Sequence, residues 1–520
     1  MKNTFGRLAA GALACAGLFI GIGDDASAKA AWQAHAGGRA NDAGRGGVTQ
    51  TSDGGFITVG ESQSFGAGDY DVHVVKTDIC GYFEWAATYD IGGNDYGRKI
   101  KETPDGGFII TGMTQNLNNC CTPALSPDIK PRHDAFLMKI AADGTVEWTN
   151  TYGGRGDDRG TDVELFYRGE RGYVFSGSTS SFGAGSTDAW LVATDPSGNL
   201  LWSRVYGGAG ADVFNGLVQT SLGGIVATGS TTSYPTINDP AIPLPDLFLV
   251  HTNDAGDVLQ SRHYGTDGST EVGYSVIEYM DPQAPSLDGD LVIAGYTTVA
   301  VSKGSAYLLR VHSDMSFVGD RIHGGGNTAG LDEFRDLVQA PWSDEILVIG
   351  RTFEPKEGFG GYDVLAMRVN GKLDRLDSRI YGGKYDDEGY GICADNTQGG
   401  FAWNGMTNTF TFGGEDQFFG LSFSWLDSYC QERVPKMTMS SPAFKEQKAP
   451  TAAPYAWVQC GARVSGVYNK GYELLCSTCG LEEKQDDSGN ELSFRSPLRA
   501  PGTAVVRTYE RAAGDAAIAR

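Results

Sequence analysis

The sequence predicts an all-β fold, a ring of seven four-stranded units, on three observations. First, one apolar strand pattern recurs seven times: DVHVVKTD from Asp71, DAFLMKIAADG from Asp134, DAWLVATDPSG from Asp188, DLFLVHTNDAG from Asp246, AYLLRVHSD from Ala306, DVLAMRVNG from Asp363 and DQFFGLSF from Asp416. Second, the copies lie 53 to 63 residues apart, closest from 363 to 416 and widest from 71 to 134. That period holds one four-stranded sheet, which cannot bury both faces alone and must stack on its neighbours. Third, the last copy shows only three strands, ending near Trp425, while AWQAHAGG from Ala31 is a fourth strand without a unit of its own. Pairing the two completes the seventh unit and removes free sheet edges. The expected architecture is a seven-bladed β-propeller closed by the N-terminal strand in the last blade, with a small Cys-containing C-terminal element.

Each strand follows from local signals. In the second copy, RKIKET from Arg98 is ended by PDGG, and FIITGMT from Phe108 alternates with period two. DAFLMKI from Asp134 is almost wholly apolar, as a strand covered on both faces must be. AADG then turns the chain into VEWTNTY from Val146, and Gly153-Gly154 closes the unit. The tight turns read DGGF at Asp53 and Asp105, LGGI at Leu222 and QGGF at Gln398, with Gly supplying the positive φ such reversals need. Fourth strands carry Trp85, Trp148 and Trp202 in matching places.

The string DGGFITVGESQSFGAGDYDVHVVKTD from Asp53, followed by Trp85 and the turn Gly92-Gly93-x-Asp95, resembles the β-propeller repeats of exported bacterial proteins, most of unassigned function. The resemblance covers about residues 31 to 425. It implies the fold and leaves the activity open, since propellers host many functions.

The ends of the chain read differently. Lys2 and Arg7 precede an apolar stretch over 8–22, and Ala26-Ser27-Ala28 offers small residues for cleavage, so residues 1–28 are expected to be a signal peptide. Cys15 invites a lipoprotein reading, but Ala12 stands where such a signal usually has Leu. The apolar run falls short of the roughly 20 residues a membrane span needs. The protein is expected to be exported, periplasmic or extracellular, with the propeller over 29–430. Residues 431–455 read as a Pro/Ala/Ser/Lys linker, and 456–520 as a small Cys-containing element with a disordered tail. Of nine cysteines, eight remain after cleavage, which in an exported chain favours disulfides; the candidates are Cys120, Cys121, Cys430, Cys460, Cys476 and Cys479. Zinc binding by Cys460, Cys476, Cys479 and a fourth ligand would need reduced thiols, which export disfavours.

The net charge of -23 excludes nucleic acid and anionic lipid as partners, because both need a basic footprint. Chain direction puts the 1–2 and 3–4 turns of every blade on one face and the longer, irregular 2–3 and 4–1 loops on the other, which is the expected working face. That face collects one carboxylate at the start of each innermost strand: Asp42, Asp95, Asp158, Asp212, Glu271, Asp332 and Asp387. Seven-fold repetition places them around the channel mouth as candidate ligand-binding residues whose oxygens suit Ca²⁺ or Mg²⁺. The other reading is that each simply accepts backbone N–H bonds in its own turn. A repeated Phe before a Gly-rich turn (Phe65, Phe182, Phe359, Phe412) offers either sugar-binding platforms or plugs between blades.

Catalytic signals are weak. Seven scattered histidines show no HExxH spacing, and no GxSxG elbow or nucleotide-binding glycine loop stands in its required context. Cys120-Cys121 with the fourth-strand tryptophans is similar to quinoprotein dehydrogenases, which would imply pyrroloquinoline quinone; that family generally has eight Trp-bearing blades in a longer chain, and here three blades have the Trp. No catalytic residue is assigned, and no cofactor is firmly implied beyond a place for Ca²⁺. The expected function is an exported, non-catalytic binding or scaffold protein that presents a loop-rich, acidic propeller face to a protein or glycan of the cell envelope or medium. The alternative is a propeller enzyme, a hydrolase or lyase, or else a quinoprotein. N-terminal sequencing of the exported protein is expected to read from near Lys29; a chain beginning at Met1 would remove the export reading.

Overall fold

The computed structural model describes residues 31–66, 69–115, 132–168, 170–234, 244–281, 289–298, 304–324, 331–353, 360–397, 399–411, 413–422 and a set of short strands between 432 and 477. Among them there is no helix, and so none long and apolar enough to cross a membrane. Seven blades stand in a ring. Blade 1 has a broken first strand (Asp42–Ala43, Val48–Gln50), then Phe56–Ser62, Asp71–Thr77 and Phe83–Asp90. Blade 2 runs Asp95–Glu102, Phe108–Thr114, Asp134–Ile140, Val146–Gly153, and blade 3 Asp158–Arg168, Glu170–Thr179, Asp188–Thr194, Leu200–Tyr206. Blade 4 is Asp212–Gln219, Ile225–Thr231, Asp246–Thr252, Val258–Gly265, and blade 5 Glu271–Tyr279, Asp290–Thr297, Ser305–Val311, Phe317–Gly324. Blade 6 is Glu333–Gln339, Ile346–Thr352, Asp363–Val369, Arg375–Tyr381. Blade 7 is Asp387–Asp395, Gly400–Thr407 and Asp416–Ser422, and against its third strand lies Trp32–Ala36, antiparallel, with Ala34 opposite Phe419.

The core is divided as the repeat requires. Seven hydrophobic clusters fill the seven seams between neighbouring blades. Third strands such as Asp134–Ile140 are buried along their whole length because a blade covers each face. The seam between blades 7 and 1 is filled by Trp32, Ala34 and Ala36 against Phe56 and Val75. Fourth-strand tryptophans reach across two of the other seams: Trp85 of blade 1 meets Phe108 of blade 2, and Trp148 of blade 2 meets Tyr173 of blade 3. A polar latch repeats beside them. In blades 1 to 4 the fourth strand ends on a buried Tyr whose hydroxyl donates to a carbonyl in the 3–4 turn of the next blade: Tyr89 to Gly144, Tyr152 to Gly198, Tyr206 to Gly256 and Tyr264 to Met315, at 2.7–2.8 Å. In blade 5 the acid that opens the other third strands is Ser305, paired with Thr297, so the copy aligned on Ala306 is shifted by one residue.

Beyond the seventh blade the chain turns back around the ring. Glu432–Arg433 pairs with the outer strand of blade 6, Thr438–Ser440 with blade 5, Lys445–Lys448 with blade 4 and Ala453–Pro454 with blade 3. Val458–Gly461 then pairs with blade 2, Ser465–Tyr468 with blade 1, and Tyr472–Ser477 with Trp32–Ala36 in blade 7. Residues 431–455, read as a linker, and those from 456, read as a separate element, thus both give strands to one circumferential belt. Each link is two to six residues long, too short to show period-two alternation. Its stabilisation comes from outer-strand N–H and C=O groups that would otherwise be unpaired. Cys460 and Cys476 sit on the belt strands at blades 2 and 7, with the link to blade 1 between them.

Three outcomes follow from this geometry. Gly153→Ala puts a Cβ 2.5 Å from Asp134 Oδ1 and 2.7 Å from Asp158 Oδ2 and is expected to destabilise by about 1–3 kcal/mol in chemical denaturation. Tyr206→Phe, which strips one buried inter-blade hydrogen bond, is expected to cost about 1–2 kcal/mol. A chain ended after residue 431 is expected to keep its β-sheet circular dichroism but to self-associate in light scattering, because seven outer edges lose their cover; a stable monomer would show that the belt is dispensable.

Candidate functional site

The seven carboxylates at the starts of the innermost strands are all buried. Asp42 shows their typical use. One oxygen accepts the Ser62 hydroxyl at 2.5 Å, and the other accepts the Gly38 N–H and the Ser64 hydroxyl, both at 2.6 Å. Asp158 accepts from Thr179, from the Ser181 hydroxyl at 2.5 Å and from Gly154 N–H at 2.8 Å. Asp212 and Asp387 repeat the pattern with Thr231 and Ser233, and with Thr407 and Thr409. Glu271 takes Ser269 and Thr297, and Asp332 takes Thr352 and the Phe353 N–H. Asp95 accepts Ile91 N–H at 2.6 Å. In the full pattern, one carboxylate ties the incoming 4–1 loop to its own innermost strand and to the second strand.

Beside these residues stand the acids that open the third strands of the preceding blades, such as Asp134 next to Asp158. Burial, with the neighbouring charges adding to it, pushes Asp134 up to about 7. Burial likewise raises Asp95 to about 7, Glu271 to about 7 and Asp387 to about 6, against the lowering effect of their hydrogen bonds. At the junction of blades 1 and 2 a third acid joins, because Asp90 occupies the place that Gly153 and Gly382 hold after the tyrosines of blades 2 and 6. Asp71, Asp90 and Asp95 bring carboxylate oxygens within 4.8 Å of one another, the one such grouping among the described residues. Its all-oxygen donors are of the kind Ca²⁺ takes.

None of the seven carboxylates lines the central cavity, which has a volume of about 430 Å³. Its wall is built from the residue three positions further on in each blade: Arg45, Arg98, Thr161, Asn215, Tyr274, Arg335 and Tyr390. The backbone explains why. In blades 2 to 7 the pairing of the first strand slips at this residue, as at Arg98 between Gly97 and Lys99. In blade 1 the strand is interrupted there altogether. A bulge of this kind leaves one residue out of the ladder, here with its side chain toward the ring axis. Sequence reading missed these positions because their chemistry varies from blade to blade; their signal is the fixed offset from the acid.

The wall is ionic yet balanced. Five cations line it, and each has a carboxylate partner. Arg45 and Arg98 share Glu61 at 3.0 and 2.9 Å, and Arg45 also meets Glu415 at 2.5 Å. Arg335 and Arg351 both bridge Glu333 and Glu388 at 2.5–3.1 Å. Lys99 crosses the axis from blade 2 to Asp336 of blade 6 at 3.1 Å, and Ser275 donates to the same carboxylate. These cations therefore face Glu61, Glu333, Asp336, Glu388 and Glu415, and Asp162 stands on the same wall near Lys99. Aromatic planes complete the wall: Arg335 lies 3.8 Å from the centre of the Tyr390 ring, and Tyr274 stacks with Tyr296 at 6.0 Å. Tyr390 donates to Glu388 at 2.9 Å. Burial raises the Tyr390 phenol, whereas Arg335 and Arg351 hold Glu388 below the usual carboxylate range in spite of its burial. Asp162 is raised by burial, and its oxygens accept the N–H groups of Val163 and Leu217.

Other expected features fall elsewhere. The irregular stretches 116–131, 235–243 and 354–359, Phe359 and Phe412, and Cys120, Cys121, Cys430 and Cys479 lie outside the described residues. Phe182 packs against Trp190 in the seam of blades 2 and 3, and Phe65 against His73. Cys393 has a free thiol that burial pushes up to about 12. His35 and His263 bond to Asp416 and Asp246 within their own blades.

No family model and no curated protein matches the chain. Among solved structures, it is similar to a protein of unknown function from Dyadobacter fermentans (11% identity, 78% of this chain and 100% of that one, TM-score 0.39). A second is a protein of unknown function from Bacteroides caccae (11%, 56% and 93%, TM-score 0.31). A third is the NanB sialidase of Streptococcus pneumoniae (10%, 75% and 70%, TM-score 0.35). Likeness at this level carries no argument about activity.

The buried acids set a pH dependence. Asp95, Asp134, Glu271 and Asp387 have folded values of about 6 to 7 against ordinary values of 3.8 and 4.5, so the folded chain holds more protons than the unfolded one between roughly pH 4 and 7. Their contribution is complete below the unfolded values and is lost as pH rises through the folded ones. The melting temperature is expected to be higher at pH 5 than at pH 8 in calorimetry. Asp90→Gly, in the presence of a chelator, is expected to raise the pH 8 value and to narrow that difference.

Proposed function

We propose that this propeller is a non-catalytic binding module of the cell exterior that receives its ligand at the channel on the loop-rich face. The ligand is a glycan or protein of the envelope or medium. The observation that carries the reading is the locked state of the channel wall. Its five cations each have a carboxylate partner. Of its hydroxyl–carboxylate pairs, Ser275–Asp336 at 2.7 Å is tied up by Lys99, and Tyr390–Glu388 at 2.9 Å is tuned away from reaction. Burial keeps the phenol protonated and the guanidinium groups keep the carboxylate ionised. A general acid or base works best with a value near the operating pH; this pair is moved in opposite directions from it. Such a wall suits recognition by fixed donors, acceptors and ring faces in a concave site.

The expected result is that the immobilised mature protein retains a defined glycan or protein from its own envelope and medium fractions. A panel of chromogenic glycosides and esters is expected to show no turnover above buffer. Tyr390→Phe is expected to leave retention within about two-fold. Turnover abolished by that variant would replace the binding module with a hydrolase.

A further inference from the structure

We propose that the central cavity recognises an electrically neutral, polyhydroxylated sugar segment, and discriminates against uronic, sialic and sulfated glycans. The inference rests on the binding-module reading and names its ligand class. It starts from the pairing of charges around the wall. An anionic ligand is normally drawn by unpaired arginines, which form bidentate bonds with it. Here Arg335 and Arg351 already share Glu333 and Glu388, Arg45 and Arg98 already share Glu61, and Lys99 already holds Asp336. A carboxylate entering this wall must either displace one of these acids or be buried as an excess negative charge, and both are costly. A cationic ligand meets the converse difficulty. A neutral ligand disturbs no pair.

The remaining features of the wall match a sugar. Tyr274, Tyr296 and Tyr390 are half-buried, and the Tyr274–Tyr296 stack with the Arg335–Tyr390 pair presents flat, polarised surfaces. Such surfaces take the C–H faces of a pyranose and leave its hydroxyls to the rim. The guanidinium groups keep 11–28% of their side-chain surface exposed while ion-paired, so their outer N–H groups can donate to hydroxyls without giving up a carboxylate. On the opposite side, blades 3 and 4 contribute only Thr161 and Asn215 at the bulge positions, which leaves the lumen open there. Lys99 and Asp336, joined across the axis, form a floor. A concave space of about 430 Å³ falls within the roughly 300–1,000 Å³ typical of small-ligand sites. A folded protein partner instead needs about 800 Å² of surface on each side, so a glycan end fits this cavity better than a protein does.

The test is an array of defined oligosaccharides probed with the mature protein, carrying neutral hexose and hexosamine chains beside uronic-acid, sialylated and sulfated ones, with peptides as a separate arm. Neutral chains are expected to bind, with affinity changing less than about two-fold between low and high salt, since no net charge is exchanged. Tyr274→Ala and Tyr390→Ala are each expected to weaken that binding at least ten-fold. Glu333→Gln, which frees one positive charge, is expected to raise binding of uronic-acid chains relative to the wild type. Thermal melting of every variant separates lost binding from lost folding, and Tyr390→Phe, which restores the ring face, is expected to recover most of the binding that Tyr390→Ala loses. Preference of the wild type for anionic chains, or neutral-sugar binding that survives both alanine variants at full strength, would overturn the proposal. Should the array stay blank while an envelope protein or peptide is retained, the sugar inference falls and the binding module stands. If nothing is retained in either arm, both fall.

Discussion

One buried carboxylate per blade governs how this ring is assembled. In blade 3, Asp158 takes N–H and hydroxyl donors from the loop that enters the blade and from the second strand beside it. A charged group without water survives only when its lone pairs are filled, so the loop cannot move without exposing an unsatisfied acid. The same demand explains the invariant glycine that follows each fourth-strand aromatic in blades 2 to 6. At Gly153 a side chain would strike two carboxylates at once. Seven such clasps fix where each innermost strand begins, and with it the bulge three residues later that aims one side chain into the channel.

Two further devices turn seven weak sheets into one body. The seams are sealed by apolar clusters and tightened by tyrosine hydroxyls that reach the next blade's turn. The rim is sealed by the belt, which gives every outer strand a partner and finishes beside Trp32–Ala36. The first and last described strands of the chain are therefore hydrogen-bonded neighbours in the same sheet. Both devices answer one difficulty: a blade has two apolar faces and one unpaired edge, and the ring covers the faces while the belt covers the edge.

The acidity of the chain and the character of its channel diverge. A net charge of -23 suggests a cation-seeking mouth, yet the repeated acids are turned inward to hold loops. The channel is faced instead by tyrosines and by arginines whose charges are met locally by glutamates. Long-range charge and local recognition are separate properties here, the first shaping solubility, the second depending on which side chains the bulges expose.

Local signals were enough to read the blades. Strand alternation, DGGF turns and the spacing of the apolar third strands are short-range consequences of pleat and turn geometry, and they mark seven units without reference to any partner. The seven acids were also legible as a set, because repetition itself is visible along the chain. What the sequence did not disclose depends on distant residues meeting. Lys99 and Asp336 are separated by 237 positions and become a pair only when blades 2 and 6 face each other across the axis. Arg45, Thr161 and Tyr390 share no chemistry, so only their common place at a bulge reveals them as one wall. The belt left no periodic trace, since strands of two to six residues owe their shape to the edges they cover. Backbone preference is a local property and was written in the sequence, whereas the site and the rim are made by closure of the ring, which the tertiary structure alone decides.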